Sequence, residues 1–99
     1  MTAAADLDKR VTRLAGRYRA WCRREGVMVT PGGEVSEKIA GIILGYRGID
    51  VLAVQRAEGR LSPLLRVRRL GRSYLYDLAS CALVVESGYD AMLDEKVTK

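Results

Sequence analysis

The chain has 99 residues, 48% of them apolar and 29% charged, enough to bury one modest core and not two, so a single domain over 1–99 is expected. The net charge is +5, carried by thirteen arginines against four lysines, which fits phosphates or guanine edges, though a coding bias toward arginine would give the same count. With no histidine and only Cys22 and Cys81, a Cys/His zinc site lacks ligands, and no apolar run approaches the roughly 20 residues of a membrane span.

All thirteen arginines lie between Arg10 and Arg72, whereas Asp77, Glu86, Asp90, Asp94 and Glu95 occupy a later stretch with no basic residue. One part of the molecule is suited to meet an anion and the other to stay off it. The first residues, MTAAADLDKR, include acids and no apolar segment of the export type, so a cytoplasmic location with reduced thiols is expected.

From Asp6 to Glu25, Leu7, Val11, Leu14, Tyr18 and Trp21 recur at spacings of four and three, which predicts an amphipathic helix stopped by Gly26. That seam has two uses, packing on the domain core or pairing with a second copy. Arg10, Arg13, Arg17 and Arg24 lie away from it, as a solvated face or as a stripe that tracks phosphates. Val27, Met28 and Val29 form a beta-prone run closed by the turn signal Thr30-Pro31-Gly32-Gly33.

Ser36 can cap a helix from Glu37 to about Leu44, with Ile39, Ala40, Ile43 and Leu44 as its buried stripe. Gly45 and Gly48 then allow a sharp turn. The segment from Ile49 to Glu58 reads as a helix capped by Asp50 and ended by Gly59, although Val51, Leu52 and Val54 also suit a strand. After Pro63, Leu65 and Val67 alternate with Arg66 and Arg68, Gly71-Arg72 supplies a turn, and Tyr74-Leu75-Tyr76 returns, which predicts a hairpin. Asp77 can cap a closing helix with the apolar run Leu78 to Val85, broken at Gly88 before a polar tail over 88–99.

The order is helix, short strand, helix, turn, helix, hairpin, helix. With Lys38-Ile39-Ala40, Glu58-Gly59-Arg60-Leu61, and Val67 to Arg72 followed by Tyr74-Leu75-Tyr76-Asp77-Leu78, the region 35–85 resembles the winged helix-turn-helix domains of MerR-type regulators and phage excisionases. The expected fold is therefore mainly α with a small β-hairpin wing, a winged helix-turn-helix preceded by the helix over 6–25. The stretch between Ala40 and Gly59 is slightly longer than in that family, and Gln55 stands where a large aromatic is usual.

The resemblance implies duplex DNA as partner, bound by a homodimer or a cooperative array, with the second helix in the major groove and the wing on the backbone or minor groove. By their chemistry, Gln55 suits adenine and Arg56 guanine. Arg47 and Arg60 suit phosphates at either end of that helix, and Arg66, Arg68, Arg69 and Arg72 arm the wing. Asp50 and Glu58 would be repelled by DNA and are expected to turn away from it as cap and terminus residues. Tyr74 and Tyr76 suit core positions better than base stacking.

No catalytic pattern, cofactor or small-molecule substrate is evident: there is no metal-ligand cluster, no phosphate-cradling glycine loop and no Gly-x-Ser-x-Gly elbow. The alternative function is a protein-interaction adaptor or inhibitor whose basic surface meets an acidic partner. RNA is disfavoured, because the sequence lacks RNP-like aromatic strands and a Gly-x-x-Gly clamp.

Overall fold

A computed structural model of the chain describes the backbone of residues 3–48 and 50–98 and the side chains of 5–48 and 50–88. Four helices pack with one three-stranded antiparallel sheet: α1 (Ala3–Arg24), β1 (Glu34–Ser36), α2 (Glu37–Ile43), α3 (Val51–Ala57), β2 (Val67–Leu70), β3 (Ser73–Asp77) and α4 (Leu78–Thr98). The strand order is β1-β3-β2, with Val35 opposite Tyr76 and Tyr76 opposite Val67.

Helix α1 begins with an acid, Asp6, in its first turn and ends with Arg23 and Arg24, complementing the helix dipole. Its seam packs largely inside the molecule, with Leu7, Val11, Leu14, Tyr18 and Trp21 all half-buried and α4 as the principal neighbour. Arg10 spans the two helices, donating to Glu86 at 3.1 Å.

Ser36 caps α2, its side chain accepting from the Ile39 amide, as the sequence predicts. Both α2 and α3 close in the same way. The Tyr46 amide bonds to the Gly41 carbonyl and the Arg60 amide to the Gln55 carbonyl, at 3.0 and 2.7 Å, around Gly45 and Gly59 with φ of 86° and 69°. A side chain is strained at such angles, so these two glycines set where each short helix stops. Residues 51–57 are thus helical, not a strand, and Leu52 turns into the core at 2% exposure. Ile49 lies outside the described residues.

Tyr76, Leu52, Leu78, Val35, Cys22 and Cys81 form the centre, drawn from α1, β1, α3, β3 and α4. Burying a leucine such as Leu52 or Leu78 stabilises the fold by about 1.5–3 kcal/mol. Asp77 caps α4 through its carboxylate, which accepts from the Ser80 amide at 2.9 Å. The Ser80 hydroxyl donates to the Asp77 carbonyl at 2.7 Å and accepts from the Arg66 amide at 3.0 Å, fixing the base of the hairpin to α4.

Three expectations are corrected. The first strand is Glu34–Ser36 and not Val27 to Val29: Val27 and Val29 pack on the core without joining the ladder. Gly88 does not end α4, which continues to Thr98, since one helical glycine costs only about 1 kcal/mol relative to alanine. Asp50 occupies the cap position of α3, but its side chain makes no capping hydrogen bond.

Candidate nucleic-acid interface

Strand β1 pairs only with residues 75–77 of β3, so the distal part of β2 and β3, residues 69–74, projects as a two-stranded ribbon. The alternation of side chains assigns its arginines to different faces. Arg68 sits opposite Leu75 on the outer face, Arg69 opposite Tyr74 on the face shared with Tyr76, and Arg72 in the turn. All three are exposed, as is Arg66 at the foot of β2. The Arg69 guanidinium donates from Nε to the Gly71 carbonyl at 2.9 Å, which steadies the turn.

Arg68 is tied down. Its Nε and Nη2 reach the two oxygens of Glu34 at 3.0 and 2.8 Å, across β3 from one edge strand to the other. The Thr30 hydroxyl also donates to Glu34, at 3.1 Å. The hydrogen bonds from Arg68 hold the Glu34 carboxyl below its ordinary range, with partial burial opposing and Thr30 assisting. Glu34 in turn raises the pKa of Arg68.

A second bracket joins α2, α3 and β3. Arg56 donates to Glu37 from Nε at 2.7 Å and from Nη2 at 3.2 Å, and the Tyr76 hydroxyl donates to the same carboxylate at 2.6 Å. The Arg56 guanidinium also stacks on the Tyr74 ring, 3.6 Å from its centroid. Glu37 is held below the usual carboxylate range, chiefly by Arg56, then by Tyr76, with burial opposing. Burial raises the Tyr76 phenol, and Glu37 raises it further.

This bracket redirects Arg56. A guanidinium bound to Glu37 and covered by Tyr74 is not presented to guanine, so the expected base contact is withdrawn and Arg56 becomes a structural link between the two short helices and the hairpin. The sequence carries a signal for this: Arg56 follows Leu52 by four, which puts it on the same inward side of α3.

The other side of α3 carries Asp50, Val51, Val54 and Gln55, which form a shallow recess with Gly48 and Arg60. Asp50 therefore faces the same side as Val54 and Gln55, contrary to the expectation that it turns away from them. Glu58 binds Arg60 at 2.9 Å in an exposed pair. Arg47 is exposed in the turn between α2 and α3. Val54, named in the sequence only as suiting a strand and not among the expected DNA contacts, is 48% exposed.

A second surface lies between α1 and α2, where Leu14, Tyr18, Trp21, Ile42 and Ile43 line an apolar groove rimmed by Arg17 and Arg24. Burial pushes the Tyr18 phenol up to about 12, with Cys81 and Glu86 adding to it, so it is neutral over the ordinary pH range. Burial likewise raises Cys81 to about 12, helped by Asp77, and raises Cys22. These two thiols are core groups that stay protonated, not nucleophiles.

Among the described residues no group of three or more His, Cys, Asp or Glu is gathered to hold a metal ion, and no helix is long and apolar enough to cross a membrane. Comparison with known proteins gives no match: no protein-family model fits the chain, and neither a curated protein nor a solved structure is significantly similar to it.

Proposed function

We propose that this protein is a non-enzymatic duplex DNA-binding protein of the winged helix-turn-helix kind, a small transcriptional regulator or an excisionase-like architectural factor. The observation that carries the reading is the projecting ribbon over 69–74, armed by Arg69 and Arg72 and rooted beside exposed Arg66, as the next element after two short helices linked by residues 44–50. Helix α3 is the element for the major groove. The ribbon meets the flanking backbone or minor groove.

Arg69 on one face of the ribbon and Arg72 in its turn suit a finger entering a minor groove about 6 Å wide, with Arg66 at the foot of β2 on the flanking backbone. Arg47, before α3, and Arg60, after it, contact the backbone without reading bases; Arg60 does so by giving up one exposed contact to Glu58, a weaker hold than the two-nitrogen grip of Glu34 on Arg68. Arg68 contributes only to the extent that a phosphate displaces Glu34. Arg56 serves the fold.

A mobility shift with random duplex DNA at low salt tests this, comparing the wild type with a variant carrying alanine at Arg66, Arg68, Arg69 and Arg72. The wild type shifts the duplex and the variant does so far more weakly. Equal shifts would remove the wing from the interface, and no shift by either protein would reject the function.

A second reading, a protein-interaction adaptor or inhibitor, is favoured by the apolar groove with its arginine rim and by half-exposed Ile42 on its wall. Changing Ile42 to Asp separates the two, leaving DNA binding intact while abolishing capture of an acidic helical partner.

A further inference from the structure

The outward side of α3 is an unusual surface for a protein whose exterior is otherwise rich in arginine. The one arginine on the helix, Arg56, is consumed by Glu37 and Tyr74 on the inner side. What remains outside is Val51, half-exposed Val54, an Asp50 carboxylate that makes no capping bond, and a Gln55 amide without a partner among the described residues. Arg60 lines the same recess, in an exposed pair with Glu58, and Arg47 is exposed in the connection before the helix.

In the major groove each of these groups has a definite complement. A bidentate contact to guanine calls for the two donors of an arginine or lysine; no residue of α3 itself supplies them on this side, and Arg60, beside it in the recess, is engaged by Glu58 at 2.9 Å. Gln55 matches adenine, which offers one donor and one acceptor, and an exposed branched aliphatic side chain matches the 5-methyl group of thymine. The Asp50 carboxylate can only accept, so it suits the amino donor of adenine or of cytosine and does not itself choose between A·T and G·C pairs; the choice falls to Val54 and Gln55.

Resting on the reading of this protein as a duplex binder, we infer that α3 recognises A·T pairs, with Val54 packed on a thymine methyl group and Gln55 on an adenine edge. Sequence choice then comes from Val54 and Gln55, while affinity comes from arginines outside α3.

The test starts from selection of bound duplexes out of a randomised pool by the full chain. The enriched site is then synthesised with uracil replacing each thymine in turn, which deletes only the methyl group, and is titrated against the wild type and against Val54→Ala and Gln55→Ala. The inference expects an enriched core containing A·T pairs. It expects a loss of about fourfold on uracil substitution at one or two positions, the worth of one buried methyl group.

Val54→Ala should be insensitive to that exchange, while Gln55→Ala should keep it and lose preference at a neighbouring adenine. A core of G·C pairs, or equal affinity for thymine and uracil throughout, overturns the inference. If duplex DNA is bound tightly with a steep salt dependence but no methyl group matters, the reading face is wrong and the DNA-binding function stands. If no duplex is bound at all, both fall.

Discussion

Arg56 and Arg68 each hold a glutamate with two nitrogens, at 2.7 and 3.2 Å to Glu37 and at 3.0 and 2.8 Å to Glu34. Their settings differ. The Arg56 side chain is 27% exposed, stacked on Tyr74, and shares its carboxylate with the Tyr76 hydroxyl, so three elements depend on it. The Arg68 side chain is 54% exposed on the outer face of the sheet, where water and salt compete for it. The same ion pair is thus part of the fold in one region and a replaceable restraint in the other.

The sharpest way to break this contrast is to remove the two cations separately. Arg56→Ala leaves Glu37 partly buried beside a phenol with no cation, and should lower the urea midpoint more than any other arginine substitution in the chain. Arg68→Ala should leave that midpoint nearly unchanged. Equal midpoints for the two variants would show that the settings do not differ in energy.

Next in size is Tyr76→Phe, which keeps the buried ring and deletes only the hydroxyl to carboxylate bond. A hydrogen bond to a charged group is worth about 1.5–3 kcal/mol, and urea unfolding should register a loss in that range. A smaller effect would mean that Arg56 alone satisfies Glu37.

The pH dependence follows from the same groups. Glu37 and Glu34 have pKa values depressed below the ordinary carboxyl value of 4.5, so their contribution is complete above 4.5 and is lost as pH falls through the folded-state values. Cys81 and Tyr18 are raised to about 12 from 9.0 and 10.0, so the contribution of keeping them neutral is complete below about pH 9 and is lost as pH rises toward 12. Thermal unfolding from pH 3 to 11 should give a plateau falling at both ends. In Glu37→Gln the acid limb should be shallower and the alkaline limb retained.

The smallest expected effect sharpens the outer half of the comparison. Glu34→Gln frees Arg68 for phosphate with little change in stability, and should steepen the slope of log K against log salt by about 0.9, one added contact. An unchanged slope would remove Arg68 from the interface.

Much of the architecture was legible because its signals are local. The heptad spacing from Leu7 to Trp21 gave α1, Ser36 gave the start of α2, Gly71-Arg72 gave the hairpin turn and Asp77 gave the cap of α4. What the sequence left open depended on distant partners. Val27 to Val29 has the composition of a strand, yet the place beside β3 is taken by Glu34–Ser36, because Val35 sits opposite Tyr76 in the core. Helix α3 has apolar residues around its whole circumference, so only the docking of Leu52 reveals which side faces inward.

The candidate site divides in the same manner. The wing arginines follow from the alternation of a hairpin, which is a nearest-neighbour property. The role of Arg56 depends on Glu37, nineteen residues earlier, and on two tyrosines of β3, and chemistry alone suggested guanine instead. Val54 was read only as a residue that suits a strand, because a valine carries no sign of being exposed until the helix is packed.

The account is tested most directly by the salt dependence of duplex binding. With Arg47, Arg60, Arg66, Arg69 and Arg72 on phosphates and Arg68 held by Glu34, the slope of log K against log salt should be about −4.5. With Arg66, Arg68, Arg69 and Arg72 replaced by alanine it should fall to about −1.8, while Arg56→Lys, if folded, should keep the wild-type slope. A flat response in the wild type, or a slope that the four wing substitutions leave unchanged, would contradict it.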